Sequence, residues 1–311
     1  MKLIISDNFY RILPVLKNEK MIRKLSLCLI FIILICSFVQ AQQCKLNKLS
    51  ELSDPLKEIS GLIFVNNKLF AVNDGNIPNF YVLDTITGKI LQTIIIKDIT
   101  VTDIEALSSD GKFLYLGDVG NNEGDRRDLK IIKVEIAKIG QKKEETITGE
   151  VIKFKYPEQT SFTPDKKGNL FDCEAMVVHK DSIYLFTKRI ADHQTSLYSL
   201  PKTKGDFSAK LIATFNSGGR ITEAAMTNDK SKLVLLGYQK KHQFPFLIIF
   251  ENFKGSNFFT GQMKRIQLTE EESNWQTEGI AFKDNNTFFV SCERTKDFNC
   301  SLYKGSLLRL K

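Results

Sequence analysis

The sequence predicts an all-β fold: a single β-propeller of five four-stranded blades, its ring closed by an N-terminal strand, with six blades as the alternative. Three observations predict it. A short Glu-centred device recurs five times, each copy is followed by a turn and a β-rich run, and no stretch after residue 41 shows helical periodicity.

The five devices are Glu58-Ile-Ser-Gly61-Leu62, Glu105-Ala106-Leu107, Glu174-Ala175-Met176, Glu223-Ala224-Ala225-Met226 and Glu278-Gly279-Ile280. Asp103, Asp172, Thr222 and Thr277 sit just before four of them, and the Glu-to-Glu intervals are 47, 69, 49 and 55 residues. Second strands are expected at Lys68–Asn73, Lys112–Asp118, Ser182–Lys188, Lys232–Tyr238 and Thr287–Glu293, with third and fourth strands such as Phe80–Asp84 and Lys89–Ile96. The intervening turns carry Asn-Asn, Asp-Gly, Thr-Gly and Asn-Asp pairs, which favour tight hairpins. The long second interval is read as one blade plus an insertion, Pro157–Leu170, although a degenerate sixth unit would also fit. The last unit has three strands before Lys311, and Lys45–Leu52 can supply its fourth, leaving no open sheet edge at the seam.

Residues 1–41 read as a secretory signal ahead of a propeller at 42–311. Ile22-Arg23-Lys24 form a basic start, Leu25–Val39 an apolar run and Ala41 a small cleavage residue. The true start is expected at Met21, since residues 1–20 carry Asp7, Pro14 and Glu19 ahead of the basic stretch. The apolar run is short for a membrane span of about 20 residues, so no stable span is expected after cleavage. Gln42-Gln43 ahead of Cys44 argue against lipidation. The destination is the periplasm or the extracellular space.

The 311 residues carry a net charge of +8; removing 1–41 takes away six basic and two acidic residues and leaves +4. The lysines are scattered through turns rather than clustered, which excludes nucleic acid as a partner. A monomer is expected. Four cysteines remain after cleavage, Cys44, Cys173, Cys292 and Cys300. In an oxidising compartment Cys292 and Cys300 could staple one hairpin; buried free thiols are the other reading.

Strand two of a blade runs back to the face where strand one began, so its end lies beside the Glu device at one mouth of the central channel. Polar residues end strand two in every unit, Asn73-Asp74, Asp118 with Asn121 and Asn122, Lys188-Arg189, Tyr238-Gln239 and Glu293-Arg294, and His193, His242, Arg220 and Trp275 lie in loops on the same face. Of these, the expected ligand-binding groups are Asn73, Asp74, Asp118, Asn121, Lys188, Arg189, Arg220, Tyr238, Trp275 and Arg294. The repeated Glu58, Glu105, Glu174, Glu223 and Glu278 admit two roles. They could staple neighbouring blades through backbone N–H groups, or they could face one another. Carboxylates at about 7 Å repel by roughly 2 kcal/mol at an effective dielectric of about 20, which would recruit a cation. Oxygen-only donors suit Ca²⁺. There is no GxSxG, HExxH or P-loop.

Glu58-Ile-Ser-Gly-Leu with Asn73-Asp74 one strand later resembles exported bacterial propellers of the esterase-like phytase and NHL/SMP-30-like groups. So do Asp103-x-Glu105-Ala-Leu with Tyr115-Leu-Gly-Asp118-x-Gly-Asn121, and Gln276-x-Glu278-Gly-Ile. The resemblance spans residues 50–311 and rests on repeat signatures. It implies a secreted propeller, often holding Ca²⁺, and for some relatives hydrolysis of phosphate or ester bonds. Only Lys188, Arg189, Arg220 and Arg294 could stand in for a phosphate-binding set. Two function classes follow: a binding or scaffold module that takes a glycan, peptide or small molecule at the polar mouth, and a Ca²⁺-dependent hydrolase acting on anionic phosphate or carboxylic esters.

Overall fold

The computed structural model describes residues 43–239, 243–269 and 276–309; the proposed signal segment, His242 and Trp275 lie outside them. Five small sheets follow one another as a five-bladed propeller. The second strands come out at Lys68–Asn73, Phe113–Asp118, Ser182–Thr187, Lys232–Gln239 and Thr287–Cys292, within a residue of their expected bounds. Pro157–Leu170 is an insertion between Glu150–Lys155 and Cys173–His179 and hides no sixth blade. Among the described residues the only helical elements are short 3₁₀ turns, and none is long and apolar enough to cross a membrane.

Period-two alternation explains why the ring holds. Along Lys68–Asn73, Phe70 and Val72 enter the apolar cluster shared with blade two, whereas Leu69 and Ala71 enter the one shared with blade five. Five such clusters exist, one at each blade interface, so the core is a set of spokes. Tight turns come from residues that accept a left-handed backbone: Asn66 and Asn67 at φ 50° and 60°, and Gly111 at 90°.

The N-terminal strand Asn47–Glu51 pairs antiparallel with Ser301–Ser306 and closes blade five, as the sequence predicts. Three further short strands were not legible there. Glu144–Ile147, Gly205–Ser208 and Gln43–Lys45 each add in parallel to the outer edge of the preceding blade, just before the chain enters the outer strand of the next. Blades one, two and four therefore have five strands, and their edges are covered. Cys292 and Cys300 do not form the hairpin staple: all four described cysteines are buried free thiols. Cys292 Sγ lies 3.8 Å from the Asn299 carbonyl and Cys300 Sγ 3.3 Å from that of Leu52, so each thiol has its own backbone acceptor.

Every inner strand carries a β-bulge against strand two, at Ser60, Glu105, Glu174, Thr222 and Glu278. The Glu device is thus threefold, not fivefold. Glu58 falls two residues before the bulge of its blade and Glu223 one residue after. Where the bulge holds a hydroxyl it staples blades: Ser60 Oγ donates to the Ile104 carbonyl at 2.8 Å, and Thr222 Oγ1 to that of Thr277 at 2.7 Å. Each joins a different blade pair. Ser60→Ala and Thr222→Val should each cost about 1–2 kcal/mol by leaving a buried carbonyl unpaired, and the double variant should cost nearly the sum. Denaturant unfolding checks this; an unchanged midpoint in both variants would show that the hydroxyls hold nothing.

Candidate functional site

The bulges aim three carboxylates, Glu105, Glu174 and Glu278, into the channel mouth from blades two, three and five. Two residues upstream of its own bulge, each of four blades presents a polar side chain: Glu58, Asp103, Asp172 and Gln276. Their carbonyls accept the N–H groups of Asp74, Val119, Lys188 and Glu293 at 2.7 to 3.1 Å, which fixes the residues just past strand two beside them. A cavity of about 190 Å³ results, lined by Glu58, Asp74, Glu105, Asn122, Glu174, Lys188, Gln276, Glu278 and Glu293. Six carboxylates meet one ammonium there, and that ammonium, on Lys188, is already ion-paired with Glu174.

Crowding sets the protonation of this mouth. Asp74, Asp103 and Glu105 each bring a carboxylate oxygen within 4.8 Å of the other two. Burial, followed by the hydrogen bond and charge of Asp74, pushes Asp103 up to about 7. Glu105 is buried and stands well above the usual carboxylate range, with the charges of Asp74 and Asp103 adding to the effect. Burial raises Glu278 to about 7 against the opposing pull of Lys188. Glu293 rises to about 9, through burial first and then the charges of Glu278 and Asp74. Glu278 Oε1 is buried with no hydrogen-bond partner. Burial raises these carboxylates first, their mutual repulsion adds to it, and the one ammonium, Lys188, offsets only part of the effect.

Other expected site residues are occupied elsewhere. Asp118 is wholly buried: its Oδ1 accepts the N–H groups of Thr102 and Asp103 and the Arg126 guanidinium, and its Oδ2 pairs with Lys130 at 2.6 Å. Asn121 ties the loop to the insertion: its carbonyl accepts the Asn169 side-chain N–H at 2.5 Å, its own N–H donates to Asp172 Oδ1 and its side-chain oxygen accepts the Arg126 N–H. Asn122, its neighbour, reaches the mouth instead. Asn73 accepts the Glu58 N–H and caps its own turn. Arg189 turns back to Asp192 and Ser196. Arg294 pairs with Asp54 on the rim at 2.6 Å, and Tyr238 is buried beside Arg220. Glu58 lines the mouth but is half exposed, with Lys57 at 3.9 Å.

Glu223 lies in neither the mouth nor solvent. Its Oε1 accepts the Ala224 N–H at 2.8 Å, and its side chain crosses from blade four towards the backbone amides of Met176 in blade three and Leu62 in blade one. Burial raises its pKa well above the ordinary value despite those amides. Gly61 makes room for it, since a Cβ there would stand 3.2 Å from Glu223 Oε2 and 3.0 Å from the Leu107 nitrogen. Asp103 and Gln276 are the mouth residues missing from the expected set. Asp103 had a signal, the acidic residue two before Glu105 that also precedes Glu174 as Asp172.

No protein-family model matches the chain, and no curated protein matches it. Solved structures do. Myxococcus xanthus glutaminyl cyclase aligns with a TM-score of 0.50 at 10% identity, over 88% of this chain and 99% of that one. Zg3597, a family 117 glycoside hydrolase produced by the marine bacterium Zobellia galactanivorans, aligns with a TM-score of 0.50 at 11% identity, over 86% and 90%. Kuenenia stuttgartiensis hydrazine synthase aligns at 0.39 and 14% identity over 79% of this chain, which spans only 58% of that protein's length. At such identities the likeness to the first two shows the fold alone. It supports a propeller-type architecture, and neither the phytase nor the NHL/SMP-30-like groups are distinguished by it.

The mouth makes stability pH-dependent in a definite direction. Asp103, Glu278 and Glu293 titrate at about 7, 7 and 9 in the folded chain, against about 4 when unfolded. The folded state therefore binds more protons than the unfolded state, and each group's contribution, full below pH 4, is lost as pH rises through its folded value. In chelator-treated protein the unfolding free energy should fall steadily from pH 5 to pH 9, and Glu293→Gln should flatten its upper half. Chemical denaturation at pH 5, 7 and 9 tests this; stability that climbs over the same range would contradict the protonated mouth.

Proposed function

We propose that this chain is an exported binding propeller whose channel mouth captures a divalent cation, Ca²⁺ foremost, and through it a polar ligand such as a glycan, a peptide or a small molecule. One observation carries the reading: six carboxylates line the mouth with a single, already paired lysine. Oxygens within 4.8 Å of one another are near enough to share an ion held at about 2.4 Å from each. Glu105 and Asp74 would be first donors, with Asp103 completing the trio. The lining has no His or Cys, and its remaining donors are oxygens, which favours Ca²⁺ over zinc or copper. Export is part of the proposal and rests on residues 21–41.

The hydrolase reading meets a barrier that the binding reading does not. An anionic ester entering this mouth would face uncompensated carboxylates, so it depends wholly on a cation already in place. Cation capture thus comes first under either reading.

Calorimetry and thermal melting with CaCl₂ test it. We expect one ion per chain with a Kd on the order of 10⁻⁴ M, typical of extracellular modules. At a hundredfold excess over Kd the gain is about 2.7 kcal/mol. Glu105→Gln and Asp74→Asn should each weaken binding at least tenfold. No heat and an unmoved melt would sink the proposal. If the ion binds, turnover of p-nitrophenyl phosphate or acetate would move the assignment to the hydrolase.

A further inference from the structure

The opposite end of the channel holds a second cavity of a different chemistry. The inner strands of blades one, two, four and five end there, and with the hairpin turns that follow they enclose about 310 Å³. That lies at the lower end of the roughly 300–1,000 Å³ of small-molecule sites. Its floor is apolar, with Ile63, Phe64, Met226 and Phe282. Its rim is polar, with Asn66, Asn67 and Asn228 beside two lysines, Lys230 and Lys283.

The rim charges are out of balance. The cavity's single acid, Asp110, is already satisfied: Oδ1 accepts the N–H groups of Lys112 and Phe113, and Oδ2 takes the Tyr115 hydroxyl at 3.0 Å and Lys202 at 3.1 Å. Neither Lys230 nor Lys283 forms an ion pair with any described carboxylate, whereas the nearby Lys232 and Lys202 do. Burial lowers the pKa of His179 first, and the charges of Lys180 and Lys230 lower it further, so the positive potential reaches into the wall of blade three. The backbone adds weight. The left-handed positions of these turns are filled in blades one and two by Asn67 and Gly111, but by Lys180 and Lys230 in blades three and four, with φ 53° and 59°. Lysine accepts that conformation less readily than Asn or Gly, so the fold holds two ammonium-bearing residues where cheaper ones would serve the turn.

We propose that this cavity is a second ligand site, for a small organic anion: a carboxylate, sulfonate or phosphate head bound by Lys230 and Lys283, hydrogen-bonded by the rim amides, and carried on an apolar body seated against Phe64, Met226 and Phe282. It takes the opposite charge to the mouth and needs no metal. Amphiphilic anions fit because the two requirements, unpaired positive charge at the rim and apolar area at the floor, occur together in this cavity.

The fluorescent probe 8-anilinonaphthalene-1-sulfonate has both features and tests the site on the native protein in chelator. We expect saturable, one-to-one enhancement, weakened at least fivefold in Lys230→Asn and further in Lys230→Asn with Lys283→Gln. Asn keeps the turn, because it tolerates the left-handed backbone, and an unshifted melt will show that the fold is intact. Glu105→Gln in the mouth should leave probe binding unchanged, which separates this site from cation capture. Displacement by benzoate but not by inorganic phosphate would identify a carboxylate on an apolar body; displacement by phosphate alone would identify the head group as the recognised part. Enhancement that never saturates, or that survives the double lysine variant, overturns the proposal.

Discussion

A single out-of-register residue in each inner strand organises this molecule. Opposite strand two the chain inserts one extra residue, and the bulge turns that side chain away from the sheet pairing. What the residue does then depends on its chemistry. A hydroxyl, as in Ser60 and Thr222, is short enough to reach the neighbouring inner strand and bond its carbonyl. A glutamate is too long for that and extends into the mouth. The same backbone feature thus builds both the staples of the ring and the acidity of the site, and the choice between Ser or Thr and Glu divides the blades into two that hold neighbours and three that supply charge.

The remaining acids show how the fold distributes an excess of carboxylate. Asp118 and Asp128 are neutralised by Arg126 and Lys130 in a compact network beside blade two. Asp84 and Asp284 cap their own turns through backbone N–H groups, and Asp229 accepts first the Thr227 hydroxyl and then the Ser231 N–H, which lowers their pKa values. The mouth acids have no such partners. One ammonium is shared among Glu105, Glu174 and Glu278, and its field also reaches Glu293 and Asp172. A structure that pairs or caps acids elsewhere and leaves them to hold protons here concentrates its unmet demand for positive charge at one place. Such concentration marks functional sites more often than structural ones.

Much of the fold was legible because two periodicities coincide: a repeat near 50 residues, and alternation within each strand such as Leu69, Ala71 against Phe70, Val72. The closing strand was legible because an orphan segment and an incomplete blade lie at opposite ends of the chain. The parallel fifth strands were not, since Glu144–Ile147 and Gly205–Ser208 are four residues long and alternate too briefly to stand out. For the site, taking the glutamates as equivalent misplaced two of them. The small residue after the bulge, Gly61, Ala106, Ala175 or Gly279, is the better anchor, and by that alignment Glu223 stands where the other blades keep a small residue. Asp118 and Asn121 looked available because their partners, Arg126 and Asp172, are distant in pattern if not always in sequence. Charge at a strand end shows that a polar group is present; it does not show whether another part of the chain has already claimed it.

Glu223 gives that misalignment a structural meaning. A glutamate in place of glycine or alanine fills the centre of the ring with a carboxyl group, and the opposing glycine, Gly61, is small enough to receive it. It lines neither the acidic mouth nor the lysine-rimmed cavity at the other end. A buried carboxyl set among backbone amides of three blades cannot move aside without breaking its bond to the Ala224 N–H and exposing a desolvated group. Glu223 thus belongs to the ring itself, apart from both the acid-lined cavity at one end and the lysine-rimmed one at the other.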